Sequence, residues 1–283
     1  MYINYSVLMS VYYREKAQHL DEAINSILKQ TVPTNDFVIV CDGTLSKELY
    51  LIIDKYRSEH PSIFNIIYLD HNVGLGTALS IGISYCKNEI VARMDSDDIS
   101  LPNRCEKQLN YFNKNNVDVV GGQIIEFFSE SREMVSERIV KLDHNDIVKI
   151  AKKKSPMNHV TVMFKKSSVI NSGNYKHLKY NEDYYLWIRM ILAGYKFGNI
   201  DEPLVFVRIN DSTFERKQGI GYFKCQKQLF IFMRDNHFIG FARYSMNIIV
   251  RFVSAVIPNK IRKVLFLKIM RKKKKGNIDL CSY

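Results

Sequence analysis

Short apolar stretches alternate with helical patterns along the first part of the chain. The stretches "YSVLMSVYY", "DFVIVCDG", "FNIIYLD" and "EIVARMD" have the length and composition of buried strands. Between them, "LDEAINSILKQ", "KELYLIIDKYRSEH" and "GTALSIGISYC" place apolar residues at helical spacing. Strands that alternate with helices predict an α/β fold, in which a mostly parallel, Rossmann-like sheet is flanked by helices on both faces.

Aspartates follow two of the predicted strands. Asp42 comes directly after the second strand, and "MDSDD" places Asp95, Asp97 and Asp98 at the end of the fourth. Ligands of open α/β sheets bind outside the carboxyl ends of the strands. Asp42 and Asp95 are therefore predicted to face one crevice.

The acidic turn after the fourth strand allows two interpretations. Two carboxylates one residue apart, Asp95 and Asp97, can direct oxygens at one cation. Ligation by oxygen alone suits Mg²⁺ or Mn²⁺, whose coordination is usually completed by substrate phosphates. Alternatively, the turn is solvated and caps a helix from Leu101, with Asp98 or Ser100 as the N-cap residue. The position at the end of a buried strand, with another strand-end aspartate nearby, favours the metal site.

A second acidic group begins the pattern "YNEDYYLWIRMILAGY". The apolar residues of this pattern have helical spacing, and Glu182 and Asp183 fall in the first turn of the predicted helix. The helix dipole favours acidic residues there, so a purely structural role is one interpretation. The residues alone leave the choice between that role and a chemical one open.

Length and composition are those of an ordinary globular protein. The chain has 283 residues, 46% of them apolar, which suits one core with an elaborated second half. Five scattered cysteines without a CxxC pair argue against a zinc site or a disulfide framework and fit a reducing cytoplasm. The start "MYINYSVLMSVYY" has no basic segment before its apolar run, so we do not expect a signal peptide. No apolar run approaches the roughly 18 residues that span a bilayer.

Positive charge is concentrated near the C-terminus. The formal net charge is +12, and residues 236–275 contain eleven Lys and Arg without any Asp or Glu. Within this extension, "FARYSMNIIVRFVSAVIP" places Arg243, Asn247, Arg251 and Ser254 on one polar stripe of an otherwise apolar helix. We expect this helical, basic extension to bind the anionic inner face of the cell membrane, which would make the protein cytoplasmic and peripheral.

The basic extension has two other interpretations. It could be a helix packed on the rest of the protein, followed by a solvated basic tail. It could also bind nucleic acid, but no module that combines aromatic and basic residues accompanies it. We therefore expect no nucleic-acid partner.

The motifs occur in a characteristic order. "SVLMSVYYRE", "VIVCDGT", "HNVGLGTALSIGI", "VARMDSDDISLPNRCEKQ", "NHVTVMFKKSSV" and "YNEDYYLWIRM" together resemble the family 2 glycosyltransferases with a GT-A fold. The resemblance extends roughly from Tyr5 to Arg208 and is greatest with the bacterial branch that builds capsule, O-antigen and other surface polysaccharides. It implies a UDP-sugar donor, transfer of a hexose or N-acetylhexosamine with inversion, and a saccharide acceptor on a lipid-diphosphate carrier. It also implies Mn²⁺ or Mg²⁺ as the cofactor.

Carried over residue by residue, the resemblance assigns a donor site. Asp95 and Asp97 match the metal-binding DxD motif, and Asp42 matches the aspartate that meets uracil or ribose. The stretch around Val11, Tyr12 and Glu15 matches the wall of the nucleotide pocket, and Asn72 and Gly74 fall in the loop that usually lines the donor site, which we call the donor loop. Arg93 and Arg104 flank the acidic turn and are candidate phosphate contacts. Ser96 and His159 complete the predicted donor-site residues.

Several of these residues have a structural alternative. Arg93 and Arg104 could simply pair with the neighbouring aspartates. Glu15 could be a carboxylate at a helix start, and Tyr12 a core aromatic. A lone histidine such as His159, at the start of an apolar strand, is often a structural hydrogen-bonding residue.

The resemblance also places an acceptor-facing acidic pair at Glu182 and Asp183, one of which is the general base. The acceptor hydroxyl must lose its proton while it attacks the anomeric carbon from the face opposite UDP. Asp183 is the predicted base, and Glu182 would orient the acceptor or raise the pKa of its partner. The chain is thus divided into a donor-binding half (1–125), an acceptor-binding and catalytic half of the same domain (126–235) and the basic extension (236–283).

Two other classes of protein compete with a glycosyltransferase. A sugar-nucleotide pyrophosphorylase has a similar α/β core, but it usually begins with a glycine-rich phosphate loop, and "SVYYREKAQ" has no glycine. A non-enzymatic basic protein that binds membrane or nucleic acid would leave both acidic groups unexplained. The sequence therefore favours the glycosyltransferase.

Overall fold

The computed structural model describes residues 3–209 and 219–257 and a short strand at 272–273. The strands are β1 (Tyr5–Val11), β2 (Asp36–Cys41), β3 (Phe64–Tyr68), β4 (Ile90–Asp95), β5 (Ile99–Ser100), β6 (Val119–Phe128), β7 (Met134–Arg138), β8 (Met163–Lys165), β9 (Phe197–Ile209) and β10 (Lys272–Lys273). The helices are α1 (Ala17–Leu28), α2 (Lys47–Glu59), α3 (Leu75–Tyr85), α4 (Arg104–Lys114), α5 (His144–Ala151), α6 (Lys166–Asn171), α7 (Glu182–Leu192), α8 (Gly219–Asp235) and α9 (Phe241–Val256). A 3₁₀ turn (His159–Thr161) precedes β8. Most of the predicted basic tail, residues 258–271 and 274–283, lies outside the described residues.

The first half of the sheet is parallel, as the alternating pattern predicts. β3, β2, β1 and β4 are neighbours in that order and pair in parallel. β2 and β3 lie on one side of β1, whereas β4 lies on its other side, so the strand order reverses at β1. In sheets of this kind, ligands bind at the carboxyl ends of the strands beside such a reversal.

The second half of the sheet is mixed rather than parallel. β8 is antiparallel to β4 and β6, and β7 is antiparallel to β6. β9 runs parallel to β6, with register shifts on both sides of Gln123, and also pairs with β5 directly after the acidic turn. β9 therefore curls the sheet around to the acidic turn.

Alternate residues of β1 face two apolar layers. Val7 and Met9 pack with α1 and α2, whereas Leu8 packs with α3 and α7. Gly82 of α3 lies directly against the sheet, because a Cβ there would be 2.5 Å from Cδ1 of Leu8 and 2.7 Å from Cγ2 of Val40. The close approach of α3 to the sheet therefore requires a glycine.

Helices α8 and α9 complete the described structure. Leu229 and Phe230 of α8 share one apolar cluster with Tyr184 and Ile188 of α7. The boundary at 235/236 coincides with the end of α8, whereas the division at 125/126 falls inside β6, so the two predicted halves share a strand. Among the described residues, no helix has both the length and the hydropathy needed to cross a membrane.

Candidate active site

Three carboxylates meet in the turn after β4. Asp95, Asp97 and Asp98 each contribute an oxygen, and these oxygens all lie within 4.8 Å of one another. Asp95 and Asp97 are partly exposed, whereas Asp98 is buried. The sequence predicted the first two as metal ligands, and the structure adds Asp98 to the group.

The capping interpretation of this turn is wrong. Asn103 is the N-cap residue of the next helix, α4. Ser100 instead lies in β5, and Oδ1 of Asp98 accepts a hydrogen bond from the backbone N–H of Arg208 in β9 at 2.8 Å. The turn is therefore held by a distant strand and not by the helix that follows it.

Two carboxyls of the turn, those of Asp97 and Asp98, have raised pKa values, so a bound cation would displace their protons. Burial, together with the charges of Asp95 and Glu15, raises the pKa of Asp97 to about 7. Burial and the charges of Asp97 and Asp95 raise the pKa of Asp98 well above its usual range. A shared divalent cation stabilises carboxylates that repel one another, and oxygen ligands suit Mg²⁺ or Mn²⁺. The donor set therefore fits the predicted cofactor.

Arg208 supports the turn from β9. Its Nε donates to the carbonyl oxygen of Asp97 at 2.8 Å, and its Nη2 donates to Oε2 of Glu22 at 2.7 Å. Arg132 pairs with the same Glu22. The sequence did not identify Glu22 or Arg132, because neither belongs to a motif and Glu22 lies 186 residues from Arg208.

Glu15 joins the loop after β1 to the acidic turn. Its carboxylate accepts a hydrogen bond from Oγ of Ser96 at 2.7 Å and lies 3.5 Å from Nδ1 of His19. Burial opposes ionisation of this carboxyl, but the hydrogen bonds from His19, Ser96 and the next backbone N–H outweigh it and lower the pKa of Glu15. Tyr12, in the same loop, is partly exposed and meets Tyr13 edge-on, so it is not a core aromatic.

Asp42 organises the predicted donor loop. Its carboxylate accepts hydrogen bonds from Nδ2 of Asn72 at 3.0 Å and from the N–H groups of Val73 and Gly74 at 2.7 and 3.1 Å. The N–H of Asp42 itself donates to the carbonyl oxygen of Val11, the last residue of β1, at 2.7 Å. Gly74 has a φ of +85°, which favours glycine, and it is the N-cap residue of α3. Donor-site residues predicted from three motifs thus form one hydrogen-bonded unit.

Arg93 acts electrostatically on both acidic groups. It is buried in β4 and forms an ion pair with Asp95, while its Nε and Nη1 atoms have no hydrogen-bond partner among the described residues. The charge of Arg93 also favours the ionised forms of Asp183 and Tyr175. Arg104, in contrast, is fully buried and donates to the carbonyl oxygen of Arg93 at 2.7 Å. This placement gives Arg104 a structural role and no support as a phosphate contact.

Glu182 and Asp183 begin α7. Oδ2 of Asp183 accepts a hydrogen bond from Oγ of Ser155 at 3.3 Å. Burial raises the pKa of Asp183, although hydrogen bonds from the backbone and from Ser155 and the charges of Arg138 and Arg93 oppose the shift. Burial and the charge of Asp183 raise the pKa of Glu182. A Cβ on Gly76, in the first turn of α3, would lie 2.7 Å from Cγ of Glu182. Through Glu182, the acidic pair therefore contacts α3, the helix that follows the donor loop.

His159 is held as a neutral ring beside Arg93. Its Nε2 forms a hydrogen bond with the hydroxyl of Tyr175 at 2.8 Å, and its ring meets the buried Trp187 edge-on, with centroids 6.0 Å apart. Burial and the charge of Arg93 lower the pKa of His159 well below its usual range. The contacts support the structural alternative for His159, at a position next to the predicted donor site.

A family model and curated relatives match this chain. The model for glycosyl transferase family 2 matches residues 6–173. The chain is similar to the amylovoran biosynthesis glycosyltransferase AmsE of Erwinia amylovora, with 34% identity over 93% of this chain and 98% of the relative. It is also similar to the UDP-Gal:alpha-D-GlcNAc-diphosphoundecaprenol beta-1,3-galactosyltransferase of Escherichia coli, with 34% identity over 95% of this chain and 97% of the relative.

Solved structures share the fold. TarS 1-349 of S. aureus in complex with UDP-GlcNAc matches with a TM-score of 0.66 and 16% identity, over 94% of this chain and 76% of that one. The mannosyltransferase PcManGT of Pyrobaculum calidifontis, in complex with GDP-Man and Mn²⁺, matches with a TM-score of 0.62 and 12% identity, over 93% of this chain and 79% of that one. At these identities the likeness shows the fold alone, and it confirms the predicted GT-A fold.

Proposed function

The chain belongs to glycosyl transferase family 2 and is a glycosyltransferase of polysaccharide biosynthesis, and we propose that it moves a hexose or N-acetylhexosamine from a UDP-sugar to a saccharide acceptor with inversion. One observation carries the proposal: the buried Arg93 forms an ion pair with Asp95 of the acidic turn, and its charge also opposes the rise in the pKa of Asp183. The proposed cation site and the proposed base are thereby linked through one charged residue.

We assign the nucleotide of the donor to the crevice at the carboxyl ends of β1, β2 and β4. Val11, Tyr12 and Glu15 line its first loop, and Asp42 holds the loop that contains Asn72 and Gly74 in place. Arg93 has two donor nitrogens, Nε and Nη1, without a described partner, so it remains the candidate for a phosphate contact. The UDP-sugar is supported by the names of the E. coli galactosyltransferase and of the TarS complex.

We assign a divalent cation to the acidic turn. Asp95 and Asp97 would hold Mn²⁺ or Mg²⁺, with Asp98 beside them, and the Mn²⁺ complex of PcManGT supports this assignment. When bound, the cation would stabilise the negative charge that grows on the departing diphosphate. Arg208 and Glu15 hold the turn through its backbone and through Ser96, so the carboxylates are arranged before any ligand arrives.

Asp183 is the proposed general base. Its carboxylate takes the proton of the acceptor hydroxyl while that oxygen forms a bond to the anomeric carbon. The bond between this carbon and the UDP oxygen breaks, and UDP leaves with the bonding electrons. Because the hydroxyl attacks from the face opposite UDP, the configuration at the anomeric carbon inverts. Glu182, which packs against the first turn of α3, is the candidate to orient the acceptor.

The acceptor is proposed to be a saccharide on a lipid-diphosphate carrier. The name of the E. coli relative includes such an acceptor. An enzyme that acts on a lipid-linked acceptor works at the membrane surface, so we propose a cytoplasmic protein that is peripheral at the inner face of the membrane.

The proposed activity is tested with a panel of UDP-sugars and Mn²⁺, with UDP release as the measurement. We expect slow hydrolysis of one UDP-sugar without acceptor and faster release of UDP when a lipid-diphosphate saccharide is added. The variant Asp95→Ala should release UDP in neither case. Release of pyrophosphate from a sugar phosphate and UTP, or no UDP from any donor, would contradict the proposal.

A further inference from the structure

Helix α9 is attached to the rest of the protein through its polar residues. Nδ2 of Asn247 donates to the carbonyl oxygen of Lys152 at 2.9 Å, and Nη2 of Arg251 donates to that of Lys153 at 2.9 Å. Asn247 is buried, and the guanidinium of Arg251 lies over the ring of Phe230, 5.7 Å from its centroid. Asn247 and Arg251 of the polar stripe therefore face the protein, whereas Arg243 at its start is exposed.

The opposite side of α9 is apolar and exposed. Six of its side chains, which we call the outer face, are between 46% and 62% exposed: Met246, Ile249, Val250, Phe252, Val253 and Val256. Spacings of three and four residues place most of them on one side of the helix. Single exposed apolar side chains are ordinary, but a contiguous apolar surface marks a site of interaction. A helix that turns Asn247 and Arg251 to the protein and exposes these apolar side chains is oriented for an apolar partner.

Positive charge is concentrated in this part of the chain. Arg243, in the first turn of α9, is exposed, and so are Lys152 and Lys153, against which the helix rests. Residues 236–275 contain eleven Lys and Arg and no Asp or Glu. Exposed apolar side chains in a segment rich in cations complement a partner that is anionic at its surface and apolar beneath it. The interface of an anionic bilayer has this chemistry.

We propose that the outer face of α9 is a membrane-docking surface, with its apolar side chains in the headgroup region of an anionic bilayer and the neighbouring Lys and Arg on lipid phosphates. Attachment then depends on apolar burial as well as on charge, so high salt weakens it without abolishing it. The basic residues beyond α9 add attraction, but the docking surface is the helix itself.

The docking surface continues toward the proposed base. Phe252 meets Phe223 of α8 edge-on, with centroids 5.5 Å apart. In the same helix, Nε2 of Gln226 donates to Oδ1 of Asn181 at 2.6 Å, directly before the acidic pair that includes Asp183. Docking by the outer face would therefore hold the start of α7 close to the lipid surface, where the headgroup of a lipid-linked acceptor lies. This last link rests on the proposed function, whereas the docking surface does not.

Co-sedimentation with vesicles tests the docking surface on the full chain. Vesicles of phosphatidylglycerol with phosphatidylcholine are compared with vesicles of phosphatidylcholine alone, at low and high salt. The double variant Ile249→Asn/Val253→Asn should lower binding to the anionic vesicles by about tenfold or more, because two apolar side chains no longer gain from burial. Its Tm should match that of the wild type, since both side chains are exposed. The matched control is Leu51→Asn, at an exposed leucine of α2, which should bind as the wild type does.

Four outcomes would overturn the docking surface. The first is that the double variant and the wild type bind the vesicles equally. The second is that the wild type binds neither kind of vesicle. A markedly lower Tm of the double variant would show that the chain itself covers the outer face. A wild type that dimerises without vesicles, beside a monomeric double variant, would assign the face to a second copy. Binding is measured without donor or acceptor, so a failure of the catalytic proposal leaves this test unaffected.

Discussion

The guanidinium of Arg93 favours the carboxylate form of Asp183, although the two residues belong to different elements and different motifs. Burial alone would push the pKa of Asp183 higher still, and Arg93 is one of the residues that oppose this shift. The same guanidinium forms an ion pair with Asp95 at the end of β4. One buried arginine therefore influences both the proposed cation site and the proposed base.

Removing this guanidinium should shift the pH dependence of the reaction. In Arg93→Gln the carboxyl of Asp183 loses a stabilising charge, so its pKa rises. Because the base acts only when deprotonated, the acidic limb of kcat/KM should move to higher pH. The measurement is the pH profile of kcat/KM for the variant and the wild type.

The matched control for this profile is Arg189→Gln. Arg189 also lies in the region of α7, but it donates to the carbonyl oxygens of Ser172 and Asn174 and does not act on Asp183. An acidic limb that moves equally in both variants, or in neither, would contradict the role given to Arg93.

Asp183→Asn should remove the base while keeping the shape of the side chain. Turnover should fall by about 10²-fold or more, and binding of the UDP-sugar should persist, because the donor site is made by other elements. Glu182→Gln serves as the comparison and should lower turnover less. If Glu182→Gln were inactive and Asp183→Asn nearly normal, the two roles would be exchanged; if both were active, the base would lie elsewhere.

Substitutions in the acidic turn separate metal ligands from structural support. Asp95→Ala and Asp97→Ala should abolish transfer in a folded protein, since neither side chain is fully buried, and excess EDTA should stop the wild type until Mn²⁺ or Mg²⁺ is restored. Asp98→Asn keeps an oxygen that can accept the hydrogen bond of Arg208. Normal Mn²⁺ binding by Asp98→Asn would limit Asp98 to support, and weak binding would make it a ligand. Full wild-type activity in excess EDTA would remove the cation from the mechanism.

Metal binding should depend on pH through Asp97. Its pKa of about 7 in the folded protein means that its carboxyl is largely protonated below that pH, and a bound cation must displace the proton. Affinity for Mn²⁺ should therefore fall, by up to about tenfold for each pH unit below 7, and level off above it. Calorimetric titration at pH 6, 7 and 8 measures the affinity and the number of protons released.

The raised pKa of Asp97 also predicts how the stability of the metal-free protein depends on pH. An unfolded Asp97 loses its proton near pH 3.9, whereas the folded protein keeps it until about 7. Between these values the folded state binds more protons, so the contribution of Asp97 to stability should decline as pH rises from about 4 to 7. Asp97→Asn should flatten this part of the curve of Tm against pH. An unchanged slope would show that Asp97 titrates normally.

The close approach of α3 to the sheet predicts the effect of a single methyl group. In Gly82→Ala the new Cβ would crowd Leu8 and Val40, so unfolding should require about 1–3 kcal/mol less free energy. Gly221→Ala, in α8, is the matched control, because a Cβ there meets nothing within 4 Å. The control should be neutral or stabilising by up to about 1 kcal/mol, since alanine favours helix. Chemical denaturation measures both.

The local elements could be predicted from the sequence because their signals are local. The apolar run of β4 ends at Asp95, and both the strand and the exposed carboxylate can be seen in a few consecutive residues. The second half of the sheet is harder, because β8 and β9 are recognised through their partners more than through their own pattern. The predicted mostly parallel sheet therefore holds for β1 to β4 and gives way to mixed pairing beyond them.

Contacts between distant residues explain the remaining differences in the site. An arginine next to an acidic motif suggests a phosphate contact, and only the packing of α4 shows that Arg104 lies in the core. Likewise, the carboxylate of Asp42 accepts hydrogen bonds from Asn72, Val73 and Gly74, which lie in another motif. No spacing within one motif contains that information.

The support that Arg208 gives the acidic turn has a consequence for the order of assembly. Its N–H reaches Asp98 and its guanidinium reaches Glu22 across 110 and 186 residues of sequence. During synthesis at about 5–20 residues per second, the acidic motif leaves the ribosome well before Arg208 is made. A nascent chain can therefore contain every residue of the DxD motif without yet holding the turn in shape. Competence for a nucleotide-sugar should arise late in translation, when β9 closes against β5.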